Sequence, residues 1–178
     1  MPQLQLHLRL PRLRQRLQLR GCMARGVNMT DNVVHLHSRP RITILPVLED
    51  DFDRFLGAGM ELIAPAVARQ SNDVTMQDVE DDIREGGAVM WLVHVEDKLT
   101  AAITTCVVTH PQRKTLKIEF MGGTKMEEWM NDAIATFANL ALKANLGAVE
   151  ADGRIGFDKY VDASPFREVY RHYVMELN

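Results

Sequence analysis

Between residues 88 and 145 the chain sets out three strand-like segments and then one long helix, and that order restricts the fold more than any other feature. "AVMWLVHV" (88–95), "LTAAITTCVVTH" (99–110) and "TLKIEFM" (115–121) are rich in β-branched and apolar residues, and only the short turns "EDK" and "PQRK" part them. Links that short join antiparallel neighbours, so the three segments predict a meander. Met126, Trp129, Met130, Ala133, Ile134, Phe137, Leu140, Ala141 and Ala144 then recur at helical spacing, which predicts a helix over 125–145 with one apolar face. Gly147 ends that helix, and "AVEAD" follows as a short strand.

The flanks extend the alternation of strand and helix. "RITILPV" (41–47) predicts a strand, and three acids followed by Phe52, Phe55, Leu56, Met60 and Ile63 predict a helix over 48–70. Gly57, Gly59 and Pro65 are expected to break or bend it. Thr75 and Asp78 have capping-box spacing for a second, acidic helix that stops at Gly86–Gly87. The chain closes with a predicted helix near 156–163 and a terminal strand.

Charge divides the chain in two. The net charge is −3, yet residues 1–42 hold eight arginines, no lysine and a single acid, Asp31. The other thirteen basic and twenty-three acidic residues lie in 43–178. Residues 1–40 therefore read as a basic, low-complexity leader, and 41–178 as one domain. The leader reads as an arm for nucleic acid or an acidic membrane surface, as an organelle transit peptide, or as residues ahead of a true start at Met23 or Met29. The last is favoured, because composition becomes ordinary at a methionine. Nucleic-acid binding would rest on those arginines alone, since an acidic domain repels phosphate backbones. No apolar run is long enough to span a membrane. Cys22 and Cys106 have neither disulfide nor metal spacing, and Cys106 reads as a small core residue. The expected setting is the cytoplasm.

The stretch "FMGGTKMEEW" (120–129) is the junction between the last meander strand and the long helix. A Gly-rich turn leading into a helix N-terminus can hold a phosphate on backbone amides. Here Thr124 and Glu127 have capping-box spacing, so the helix can instead satisfy its own amides. Glu127 and Glu128 suit the helix dipole and repel an anion. The junction reads either as a self-capped turn or as a shortened phosphate cradle.

The element order from Arg41 to the end resembles the GNAT acyltransferase superfamily. It is most similar to small GNAT-like proteins of tailed phages and prophages, through "FMGG", "MEEWM", "GAVEADGR", "GRIGF" and "YRHYVMEL". The resemblance implies an α/β fold with a mixed, mostly antiparallel sheet and helices on both faces. It further implies acetyl-CoA, or another acyl-CoA, bound in a gap where the strand before the long helix splays from its neighbour. The amides at Met121, Gly122, Gly123, Thr124 and Lys125 would take the pyrophosphate, although the family's Arg or Gln is absent and the glycines are adjacent.

The resemblance implies a carboxylate base on the same strand, and alternation sets Glu119 with Lys117 and Met121 opposite Leu116, Ile118 and Phe120. Lys117 can also simply pair with Glu119. Tyr170 or Tyr173, either side of His172, would supply the acid that protonates the departing thiolate. Strand tyrosines also serve as amphipathic packing. Arg154 could fork to a phosphate or tie down Asp152 or Asp158. His35 and His37 form an HxH with no third ligand, His94 and His110 stand alone, and no metal is assigned. The expected activity is acetyl transfer to an unidentified amine by a monomer or weak homodimer. The alternative is a non-catalytic protein of the same fold working through protein contacts, such as a component of a phage particle or of its assembly.

Overall fold

The computed structural model describes residues 39–70, 74–153 and 164–169. Most of the leader, Arg154, the helix expected near 156–163, and the terminal strand with Tyr170, His172 and Tyr173 lie outside the described residues.

Five strands form one sheet in the order β1 (Ile42–Pro46), β2 (Ala88–Val95), β3 (Lys98–Thr109), β4 (Lys114–Gly123), β5 (Ala148–Ala151). The first three junctions are antiparallel and β4–β5 is parallel. A parallel neighbour needs a crossover, and helix α3 (Met126–Lys143) supplies it. The mixed, mostly antiparallel sheet is therefore as expected.

The β2–β3 turn uses only Glu96 and Asp97, both left-handed at φ 50° and 62°. Two such residues twist the strands correctly, although neither is glycine. Arg41 compensates: its N–H donates to Glu96 Oε1 at 2.8 Å, its carbonyl accepts from Glu96 N–H at 3.0 Å, and its guanidinium pairs with Asp97.

Helices cover both faces. Helices α1 (Phe52–Val67) and α2 (Met76–Arg84) pack on one, where Leu56, Ile63, Ile83 and Met90 are buried. Helix α1 is not broken at Gly57, Gly59 or Pro65. Pro65 lies on the exposed side, where the carbonyl it frees one turn earlier can reach water. The expected capping box on α2 is present: Asp78 N–H donates to Thr75 Oγ1 at 3.2 Å and Thr75 N–H to Asp78 Oδ2 at 2.7 Å. The Thr75 hydroxyl, donating to Asp78 Oδ2 at 2.6 Å, and then the Thr75 N–H hold the Asp78 carboxyl below its usual range. Thr75→Ala should lower Tm by about 3 °C, as a thermal melt will read.

Helix α3 covers the other face with Trp129, Phe137 and Ala141. Phe137 meets Trp91 of β2 edge-on at 5.4 Å, and the Trp91 indole donates to Thr105 Oγ1 at 2.8 Å. The helix stops before Gly147. Asn145 turns left-handed at φ 55°, and Leu146 N–H closes back on the Ala141 carbonyl at 2.8 Å.

Candidate functional site

The β3–β4 register slips beside the junction of interest. Ile103 faces Met121 but Thr105 faces Ile118, so β4 carries one more residue than β3 across this interval. Such a bulge reverses the facing of whatever follows it. Leu116 and Ile118 join the α3 core, yet Phe120 joins the α1–α2 core and Met121 the α3 core. The face assignment from simple alternation therefore fails for Phe120 and Met121. Phe120 N–H donates instead to the side-chain oxygen of buried Thr104, at 3.1 Å.

Strand β5 pairs with β4 only from Thr115 to Ile118. Among the described residues, the β5-side edge of 119–123 has no strand partner. Among those residues, the backbone edge stays open along the stretch that leads to helix α3.

The glycine pair is not a turn. Gly122 and Gly123 are the last residues of β4, opposite Ala102 and Ala101. They are small because other chain segments crowd them. A Cβ on Gly122 would stand 2.0 Å from the Leu62 carbonyl oxygen of α1, and Gly123 has φ 132° with the Thr100 carbonyl 2.4 Å from its ideal Cβ. Only Thr124 and Lys125 link β4 to α3.

The expected Thr124–Glu127 capping box does not form. Thr124 is held as an extension of the sheet: its N–H donates to the Thr100 carbonyl at 3.0 Å and its carbonyl accepts the Trp129 indole N–H at 2.8 Å. The cap position passes to Lys125, left-handed at φ 54°, and no side chain caps the helix. First-turn amides are thus without a side-chain partner at the positive end of the helix dipole, and of them Glu128 N–H donates to the Lys125 carbonyl at 2.9 Å. Lys125 Nζ lies 3.2 Å from Glu128 Oε1, which offsets part of the acidic first turn.

Glu119 lies half-buried on the α1–α2 side. It lines a cavity of about 390 Å³ together with Asp78 and Asp82 of α2, Lys117 and Phe120 of β4, and Asp152 just after β5. Lys117 pairs with Asp152 at 3.0 Å, and that hydrogen bond raises its ammonium pKa. The lysine is therefore not the dedicated partner of Glu119 that its spacing allowed. Asp78, Asp82 and Glu119 leave the cavity acidic, which favours a cation. Cys106, opposite Lys117 in the register, lies beside Glu119. Burial first, and then the Glu119 carboxylate, push its thiol up to about 12. It is a protonated neighbour at neutral pH, not a nucleophile.

The structure thus brings Glu119 to the start of the open edge that Met121, Gly122 and Gly123 continue and that Thr124 and Lys125 join to α3. It separates Met121, whose side chain turns to the α3 core. The sequence reading missed Thr104 and Asp82, and it set Cys106 in the core, where it packs, without linking it to Glu119. The one available signal was adjacent apolar residues at Phe120 and Met121, a break in strict alternation. His110 does not stand alone: Nε2 is 3.3 Å from both Glu150 Oε1 and Thr115 Oγ1.

No protein-family model matches the sequence, and no curated protein is similar to it in sequence. Solved structures do match. An aminoglycoside N-acetyltransferase in complex with CoA aligns with a TM-score of 0.57 at 9% identity, over 80% of this chain and 98% of its own. A glucosamine-6-phosphate N-acetyltransferase from Arabidopsis thaliana aligns at 0.55 and 11%, over 78% and 99%. A possible acetyltransferase from Clostridium difficile aligns at 0.53 and 17%, over 77% and 98%. These matches give no support to a phage origin. At such identities the likeness is one of fold: the mixed five-stranded sheet with its three helices is a GNAT-like α/β fold.

Proposed function

We propose that this protein is an acyl-CoA-dependent N-acyltransferase that moves an acetyl group to an amine. The observation that carries the reading is the conjunction on β4. Among the described residues, a backbone edge without a strand partner begins at Glu119, which lines the acidic cavity, and runs to a helix whose first amides no side chain caps. A pantetheine arm is a chain of amides, and an unpaired strand edge offers amides and carbonyls to such a chain. Uncapped first-turn amides suit a pyrophosphate. The residues present therefore fit acetyl-CoA.

When bound, acetyl-CoA supplies the thioester carbonyl that the amine attacks. Asp78, Asp82 and Glu119 draw in the amine as its ammonium ion. An ammonium has no lone pair, so Glu119, directly or through one water, takes a proton before or during attack. With acetyl-CoA bound, the C–N bond would form as the C–S bond breaks, the nitrogen would shed its second proton to solvent, and the thiolate would leave as the conjugate base of a thiol. The resemblance assigns its protonation to Tyr170 or Tyr173, which stay in the proposal on that ground alone. The raised thiol pKa of Cys106 disfavours an acyl-enzyme, in keeping with direct transfer.

Calorimetry of the full chain with acetyl-CoA tests this. Micromolar binding is expected, weakened roughly tenfold by Lys125→Glu, because a negative charge would then stand at the cap beside Glu127 and Glu128. No heat at millimolar acetyl-CoA would retire the transferase reading in favour of a fold retained for protein contacts.

A further inference from the structure

We propose that Thr104 is a positioning residue of this site: its hydroxyl oxygen, by accepting the Phe120 amide, holds the β4 bulge and so fixes both the open edge and the wall of the cavity beside Glu119. The inference rests on the acyltransferase reading and deepens it.

The bulge gives β4 three steps from Ile118 to Met121 where β3 takes two from Thr105 to Ile103. Inside it the regular exchange of backbone hydrogen bonds is interrupted, and Phe120 N–H is left to find another acceptor. Thr104 is 0% exposed and Phe120 7% exposed, so water is a poor substitute. The Thr104 side-chain oxygen fills the need at 3.1 Å. A hydroxyl on β3 at that one position therefore makes the extra residue tolerable inside a core.

Two properties of the site follow. First, consecutive residues Glu119 and Phe120 both line the cavity, which regular alternation forbids. Second, every residue beyond the bulge is out of phase with those before it. The bulge therefore decides which backbone groups of 121–123 turn to β3 and which turn to the open edge. Losing the acceptor favours regular pairing. That would send Phe120 toward α3 and Met121 toward the cavity, and would exchange the amides offered along the edge.

The hydroxyl can be tested apart from the volume, because valine matches threonine in shape and serine keeps the oxygen. Wild type, Thr104→Val and Thr104→Ser are compared as full chains. Acetyl-CoA binding is read by calorimetry, and exchange protection of the Phe120 amide by NMR. We expect Thr104→Val to bind 1:1 but about tenfold more weakly, with Phe120 protection lost. Thr104→Ser should restore both. Should Thr104→Val not fold, Thr104→Cys, a weak acceptor, takes its place with the same expectation. Equal affinity in wild type and the valine (or cysteine) variant would overturn the assignment. So would a serine variant as weak as the valine one, because packing and not the oxygen would then be responsible. A wild type that binds no acetyl-CoA would end the acyltransferase reading and this assignment with it. That failure shows before any substitution is made.

Discussion

Glu119→Gln should lower the turnover of acetyl transfer by about 100-fold and leave acetyl-CoA affinity within roughly twofold of wild type. Glutamine keeps the shape and the hydrogen-bonding reach of the carboxylate but cannot accept the proton of an ammonium. The two effects separate because Glu119 contacts the acceptor's cavity through its side chain, whereas the cofactor would be held by backbone from 121 onward. Its surroundings suit a base. Lys117 is engaged by Asp152 at 3.0 Å, and Cys106, with its thiol pushed up to about 12, remains a neutral neighbour. Thiol release from acetyl-CoA across a panel of small amines gives kcat and KM together. A Glu119→Gln protein with wild-type kcat would remove the base role from this residue and point to Asp82, across the same cavity.

Gly122→Ala should destabilise the fold by about 3 kcal/mol, a shift measurable in urea unfolding. The added methyl would stand 2.0 Å from the Leu62 carbonyl oxygen, 2.8 Å from its carbon and 2.9 Å from Ile63 Cα. All three are backbone atoms of α1, so no rotamer change relieves the clash, and the helix must move off the sheet. Gly57→Ala is the control. A Cβ there meets nothing within 4 Å, and the site is exposed within α1. That substitution should raise stability by about 0.5–1 kcal/mol through helix propensity alone. If Gly122→Ala and Gly57→Ala melted together, helix α1 would not be pressed against the end of β4 as described.

The division between what sequence and structure each decided follows from the range of the forces involved. Patterning at short range was legible. The meander, the apolar face of α3, the Thr75–Asp78 cap and the strand that follows α3 all depend on neighbours a few residues apart, and the structure places each where the spacing predicts. The mixed sheet with helices on both faces followed from that order together with the family resemblance. Glu119 could be picked out as a carboxylate on a strand beside the junction, because strand alternation is also local.

The junction itself was not legible, because its conformation depends on residues far away in sequence. Thr100 takes the Thr124 amide, which extends the sheet and moves the helix cap to Lys125, so the self-capped turn never forms. The helix backbone at Leu62 and Ile63 explains why position 122 is glycine, and this packing role looks the same in sequence as a phosphate loop. The bulge beside Thr104 puts Phe120 on the face of Glu119 and Met121 on the face of Leu116 and Ile118, although Leu116, Ile118 and Phe120 keep perfect alternation on paper. Among the described residues, sequence alone determined which strands and long helices form and in what order. Tertiary packing alone decided which backbone groups at the β4–α3 junction stay unpaired, because each pairing is a contest among partners brought together only when the sheet and α1 are already in place.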